Sequence, residues 1–212
     1  NMRNMFAGLQ SLTDLDVTMF DTTNLTNAQY MFAQCNSLKN LDLYSFKMSK
    51  VTNMNYMFYD MLRLESLDIS NFDTSSVTTM ESMFRSCGSL KTLDVSSFNT
   101  SNVTNMTNMF NSMYALESID LSSFDTSGVS YMESFLAYCT SLKEVNLMNA
   151  TFANVTNSSN MFQAVTDAIT VIVKDQEAQS FIQNKLGEGK GTVIIYTPPA
   201  DGGTTPDVET TT

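Results

Sequence analysis

Residues 83–106 read MFRSCGSLKTLDVSSFNTSNVTNM, and the spacing within and beyond this stretch decides the fold. Phe84 belongs to a series, Phe6, Phe32, Phe58, Phe84 and Phe110, that recurs every 26 residues, gives way to Leu136 and resumes at Phe162. Leu93 belongs to a second column, Leu15, Leu41, Leu67, Leu93, Ile119, Val145 and Val171, and Val95 to a third, Val17, Leu43, Ile69, Val95, Leu121, Leu147 and Val173. Phe98 and Val103 each head further columns, Phe20 to Phe124 and Leu25 to Val155. One such unit cannot bury its apolar side alone, so a fixed period of this length specifies coils stacked into a solenoid with a shared interior.

Inside one unit the apolar spacing changes. Val51, Met54, Met57 with Phe58, and Met61 lie three or four apart, which predicts a short helix; Leu67, Asp68 and Ile69 alternate, which predicts a short strand. Thr52, Thr78, Thr104, Ser130 and Thr156 precede the expected helices, where a hydroxyl can accept from free backbone N–H groups, and Thr78 with Glu81 and Ser130 with Glu133 match a capping box. Capping explains this column better than glycosylation, although Asn102 and Asn154 open formal acceptor sequences. The column Asn24, Lys50, Ser76, Asn102, Gly128 and Asn154 reads as a turn position with positive φ. The expected class is therefore α/β: a leucine-rich-repeat-like solenoid with one short parallel strand and one short helix per repeat.

The pattern of M-F-x-x-C-x-S-L-x-x-L-D-L-S-x-F-D-T-S-N-V-T-N-M resembles the 26-residue repeat of bacterial surface proteins, the family of mycoplasmal lipoproteins and BspA-like leucine-rich-repeat proteins. The likeness covers residues 1 to about 165 and fades where Ala150, Ser158 and Ala168 replace the expected Phe, Met and Leu. It implies an extracellular protein of the bacterial cell surface, anchored to wall or lipid outside this segment, that binds a host or bacterial surface macromolecule. An adhesin-like module for protein or glycan is the first expectation; a stalk that spaces another binding domain from the cell wall is the alternative.

Composition narrows the function further. With 22 Asp and Glu against 11 Lys and Arg, the chain repels nucleic-acid phosphates and anionic lipid heads. No apolar run reaches the roughly 20 residues of a membrane span. The absence of His removes the commonest general base, and no nucleophile stands with a base, so no enzyme and no cofactor are expected. Asn1 falls inside a repeat, so further coils are expected upstream.

Several columns alternate between neighbouring coils. Cys35, Cys87 and Cys139 are separated by Met61 and Met113, while Lys39, Lys91 and Lys143 are separated by Glu65 and Glu117. Strands about 4.8 Å apart would set each Lys beside a Glu and hold the cysteines roughly 10 Å apart, beyond disulfide reach. The cysteines thus read as free core residues exchangeable with Met.

The outward side of the strand column is acidic and rich in hydroxyls. Asp16, Asp42, Asp68, Asp94 and Asp120 should repel one another on adjacent coils unless Ser and Thr neighbours or a cation relieve them. These five and Tyr44 are the candidate ligand-binding residues, with Asp68, Asp94 and Asp120 as candidate Ca²⁺ ligands. Tyr30, Tyr56, Tyr59, Tyr131 and Tyr138 fall in several columns and do not read as a cluster. Residues 1–165 form the expected array. Residues 166–197 form a β-α-β cap, with strands at 169–173 and 192–196 around a helix at 175–186; residues 198–212 form a Thr- and Pro-rich linker expected to be disordered.

Overall fold

The computed structural model describes residues 1–197; the expected linker lies outside the described residues. The chain winds into a parallel-strand solenoid. Short strands β1 (Asn40–Asp42) and β2 (Ser66–Asp68) pair in parallel with Leu41 opposite Leu67. Strands β3 (Ser118–Asp120), β4 (Glu144–Leu147), β5 (Thr170–Val173) and β6 (Thr192–Ile195) form a second parallel sheet in that order. Residues 92–94, which complete the column between β2 and β3, are not in a strand, and the ladder is interrupted there. The alternation of Leu67, Asp68 and Ile69 is thus a strand signal the structure honours, and the period of 26 is the coil length.

Equivalent side chains lie over one another in one continuous interior. Phe6, Phe32, Phe58, Phe84 and Phe110 stack with centroid separations of 5.3, 5.9, 5.6 and 5.7 Å and interplanar angles of 10° or less. Where Leu136 breaks this column, Phe135 moves one place along the chain and meets Phe110 edge-on at 5.2 Å, keeping the aromatic volume. The Phe20 to Phe124 column packs against the first within the interior: Phe46 lies 6.0 Å from Phe32 and Phe124 lies 6.4 Å from Phe110.

The stretches read as helices are not helices. Each is a run of tight turns, and among the described residues the one α-helix is α1 (Gln176–Leu186), outside the regular coils. In the coil beginning at Asn53, Met57 N–H donates to Met54 O and Tyr59 N–H to Tyr56 O, both at 3.2 Å, closing i to i+3 turns. Alternate amides instead point along the solenoid: Tyr56, Phe58 and Asp60 donate to Glu81, Met83 and Arg85 carbonyls at 2.8, 2.9 and 2.8 Å. This alternation requires left-handed residues at two fixed places per coil, such as Tyr56 and Asp60 at φ 58° and 60°, or Ser82 and Ser86 at 54° and 64°. Each non-glycine there costs roughly 1–2 kcal/mol. The inter-coil hydrogen bonds, worth about 0.5–1.5 kcal/mol net apiece, offset that cost.

Two further expectations fall with the helix. The column Asn24 to Asn154 is not left-handed; its side chains reach back instead, Asn102 Nδ2 to Ser75 O at 2.8 Å and Asn154 Nδ2 to Ser127 O at 2.7 Å. The Thr column caps nothing: Thr78 Oγ1 donates to Thr52 O and Thr156 Oγ1 to Ser130 O, each at 3.1 Å. Glu81 and Glu133 accept from Asn105 and Asn157 of the next coil, at 3.4 and 3.0 Å. What reads locally as helix capping is a ladder between coils.

Beyond the last coil, β5, α1 and β6 follow near the expected bounds. Asp175 caps α1 by accepting from Ala178 N–H at 2.9 Å, and Gly187 ends it at φ 93°. Phe181 of α1 stacks on Phe152 at 4.4 Å, with an interplanar angle of 4°. Gly191, at φ 63°, sits where a Cβ would meet Ile169 at 2.8 Å, so the return into β6 demands glycine.

Candidate binding face

The strand face is built from three residues per coil, the middle one buried and the flanking two exposed, as in β1 and β3. Asp42 and Asp68 stand opposite each other in register. The expected repulsion is relieved within each coil rather than between coils. Asp16 Oδ1 accepts from Thr18 N–H at 2.9 Å and its hydroxyl at 2.7 Å, and Asp68 Oδ1 accepts from Ser70 N–H and hydroxyl at 3.0 and 2.7 Å. Tyr44, Ser96 and Ser122 amides serve Asp42, Asp94 and Asp120 in the same way, each at 2.9 Å. Hydrogen bonds from the residue two places on, hydroxyl first and amide second, hold the Asp16, Asp68 and Asp94 carboxyls below the ordinary carboxylate range.

An open depression lies on this face where the strand ladder is interrupted. Its lining includes Asn40, Asp42, Tyr44, Ser66, Asp68 and Asp94. Tyr44, one of the lining residues, is 78 % exposed. Four of the six expected binding residues therefore meet at one place. Asp16 and Asp120 do not: they continue the same column beyond the depression. Among the described residues, no three acidic or thiol groups converge as a metal-ligand set, so Asp68, Asp94 and Asp120 remain a line rather than a cage.

The alternating charge column pairs as its spacing requires at Lys39 and Lys143, whereas Lys91 makes no ion pair within 4.0 Å among the described residues. Lys39 Nζ meets Glu65 at 2.8 Å and Lys143 Nζ meets Glu117 at 2.9 Å. The three cysteines are buried and free, and each Sγ lies 3.1 Å from the carbonyl of a Phe in the preceding coil, Phe6, Phe58 or Phe110. Burial pushes the Cys87 and Cys139 thiols up to about 12, which leaves them unreactive as nucleophiles.

The tyrosines of the turn run correct the sequence reading. Tyr30 and Tyr56 stack at 4.5 Å, Tyr59 meets Tyr56 edge-on at 5.6 Å, and the Arg85 guanidinium lies 5.8 Å from the Tyr59 ring centre. Tyr30, Tyr56 and Tyr59 are one cluster, while Tyr131 and Tyr138 stand exposed and apart from it, as the scattered columns implied. The signal was present, since Tyr30 and Tyr56 share a column, as do Tyr59 and Arg85, each pair one coil apart.

No helix among the described residues is long and apolar enough to cross a membrane. The family described as Mycoplasma protein of unknown function, DUF285, matches residues 1–67 and 60–173. No curated protein and no solved structure matches the chain.

Proposed function

The chain belongs to the DUF285 family of Mycoplasma proteins, and from that premise we propose that it is a non-enzymatic binding module of a bacterial surface protein, working outside the cell in an adhesin-like role. The observation that carries this reading is the depression on the strand face, where Tyr44 supplies an exposed aromatic beside the free carboxylate oxygens of Asp42, Asp68 and Asp94. An aromatic anchor ringed by fixed acceptors suits a protein or glycan of the host or of another bacterium. The lack of any His supports a binding rather than a chemical role. In this reading the coils are of the leucine-rich-repeat kind in their strand and core, and β5, α1 and β6 close the open end of the last coil, as a terminal cap must.

A second reading, a stalk that spaces another domain from the cell wall, is favoured by one specific observation. Every carboxylate of the strand column already serves a turn in its own coil, so the column has a structural reason to exist without a ligand. The two readings part in one experiment. The chain is presented to arrays of extracellular-matrix proteins and glycans, with and without Ca²⁺, and the captured ligand is re-measured against Tyr44→Ala and the double variant Asp68→Asn, Asp94→Asn. A binding module loses affinity by about tenfold or more, the loss usual at a hot spot, while its melting temperature holds. Capture that survives all these changes, or no capture at all, leaves the stalk.

A further inference from the structure

One coil departs from the pattern of the strand face. In the column Thr18, Tyr44, Ser70, Ser96 and Ser122, Thr18 and Ser70 turn a hydroxyl back on the aspartate two places earlier, each at 2.7 Å. Tyr44 gives Asp42 only its amide, at 2.9 Å, and leaves its ring in solvent. Its backbone is nevertheless held, since Asn71 Nδ2 donates to Tyr44 O at 2.8 Å. This coil gives up an internal hydrogen bond and presents a positioned, exposed aromatic, an exchange that serves contact rather than folding.

The surroundings of Tyr44 select the charge of what it meets. No backbone hydrogen bond joins β2 to residues 92–94, and Leu67, whose counterparts Leu41 and Leu93 are buried, is half-buried in the lining of the depression. Asp42, Asp68 and Asp94 stand beside it, each with one oxygen bonded inside its own coil and the other without a partner among the described residues. No Lys or Arg lines the depression, and among the described residues none lies within 4.0 Å of these three aspartates. Ser96 holds the Asp94 carboxyl below the ordinary range, while the one charge acting on it, Asp68, pushes it back up. Lys91 acts on Glu117 instead. Hydrogen bonds position these carboxylates, and no positive charge of the chain answers them.

We propose that the depression receives an extended basic segment of a protein partner, with one Lys or Arg across the Tyr44 ring and others on Asp42, Asp68 and Asp94. The proposal rests on the binding-module reading and narrows its ligand from protein or glycan to a basic peptide. A cation is attracted to the face of a tyrosine, and its aliphatic stem packs on apolar surface such as Leu67. Coils about 4.8 Å apart set Asp42 and Asp94 roughly 10 Å from each other, and alternate residues of an extended chain lie about 6.7 Å apart on one side, a difference that long side chains span. The net charge of −11 steers a basic partner toward the chain. A neutral glycan brings no charge to the carboxylates, and a line of them offers a bare metal ion no shaped loop.

The test uses the whole chain and a fluorescein-labelled peptide of alternating Gly and Arg, with its Gly-Gln counterpart as control, read by fluorescence anisotropy. The Arg peptide is expected to bind, more weakly as salt rises. It should lose about tenfold or more in affinity on change to Gln, on Tyr44→Ser, and on Asp68→Asn with Asp94→Asn. Tyr44→Phe keeps the ring and should keep the affinity. Asp73→Asn with Asp125→Asn removes the same charge from turns that do not line the depression, and should leave binding unchanged. That pair separates a local site from the acidity of the whole chain. Melting curves identify any loss that comes from unfolding; Ser already fills the column of Tyr44 in three other coils, so if the Asp68 and Asp94 variant unfolds, Tyr44→Ser and the Gln peptide decide alone. Equal binding of both peptides, no binding at about 1 mM, equal losses in the two aspartate variants, or binding that survives Tyr44→Ser each overturn the proposal. A ligand captured on the arrays through Tyr44 but lacking Lys and Arg overturns it too and leaves the binding module standing, whereas no capture and no peptide binding remove both.

Discussion

Thr126 is a small polar residue inside an otherwise apolar stack, and it is there to stitch coils. Its hydroxyl donates to Thr151 O at 2.6 Å and accepts from Thr151 N–H at 2.8 Å; Thr74 does the same for Asn99 at 2.9 and 2.8 Å. Thr126→Val keeps the shape but leaves a donor and an acceptor of the next coil unpaired, so it should cost about 1–3 kcal/mol. A chemical-denaturation midpoint measures this, and an unchanged value would mean that water replaces the hydroxyl. Aspartates act at the same scale. Asp16, Asp68 and Asp94, and at a second corner Asp21, Asp73 and Asp125, all titrate below the ordinary range because the hydroxyl and amide two residues on bond the charged form. A carboxyl whose folded value lies below its unfolded one, near 3.9, stabilises the fold above that pH and stops doing so as pH falls through the folded value. The melting temperature should therefore be flat near neutrality and drop below about pH 4. Asn99 shows that an amide can hold the same turn, with Ser101 N–H at 3.0 Å and its hydroxyl at 2.7 Å. Replacing all six by Asn should preserve neutral stability and flatten the acid fall; an equally steep fall would place the acid-sensitive groups elsewhere.

At the scale of the element, the turn run is where sequence and structure part, and the reason is geometric. Helices put residues i, i+3, i+4 and i+7 on one side, and so does a ribbon of four-residue turns, so Met54, Met57, Phe58 and Met61 fit both. What would separate them is the demand for left-handed backbone, and the residues that meet it, Tyr56, Asp60, Ser82 and Ser86 among them, carry no glycine signature. Gly8 alone betrays it, at φ 77° in the column that Ser86 shares. Strand pairing and the stacked Phe column were legible because they follow from period alone, and so were Asp42, Tyr44, Asp68 and Asp94 as neighbours. The tyrosine cluster was not read, because helical spacing would have spread those side chains around an axis. The turn geometry has a direct test. Ser86→Gly removes a Cβ from a left-handed position, and after the added flexibility of the unfolded chain is subtracted it should stabilise by roughly 0.5–1 kcal/mol. Ser86→Val, branched at Cβ in the same conformation, should destabilise. Were the segment helical, the order would invert, with Gly the more harmful of the two; thermal melts of both variants read the sign.

Over the whole molecule, coils one apart are not equivalent but coils two apart are. Cys alternates with Met in the core, and Lys alternates with Glu at the surface, where Lys39 meets Glu65 and Lys143 meets Glu117. The exposed pairs contribute at most about 1 kcal/mol each, so their value lies in register, and the core alternation of small with large side chains reinforces it. If pairs of coils are the real unit, excising one coil and excising two should have different consequences. Deletion of residues 48–73 removes 26 residues and sets Cys35 directly against Cys87 and Lys39 against Lys91; deletion of residues 48–99 removes 52 and sets Cys35 against Met113 and Lys39 against Glu117. Adjacent coils hold equivalent Cα atoms about 4.8 Å apart, inside the range a disulfide needs. The shorter deletion should therefore fold with a frustrated core and, on mild oxidation, acquire a Cys35 to Cys87 link, visible as loss of two titratable thiols in the denatured chain. The longer deletion should keep both its remaining thiols and, although a coil shorter, melt no lower than its one-coil counterpart. Identical thiol counts before and after oxidation in the first variant, together with a higher melting point than the second, would show that single coils are interchangeable and that the two-coil alternation is only a trace of how the sequence arose.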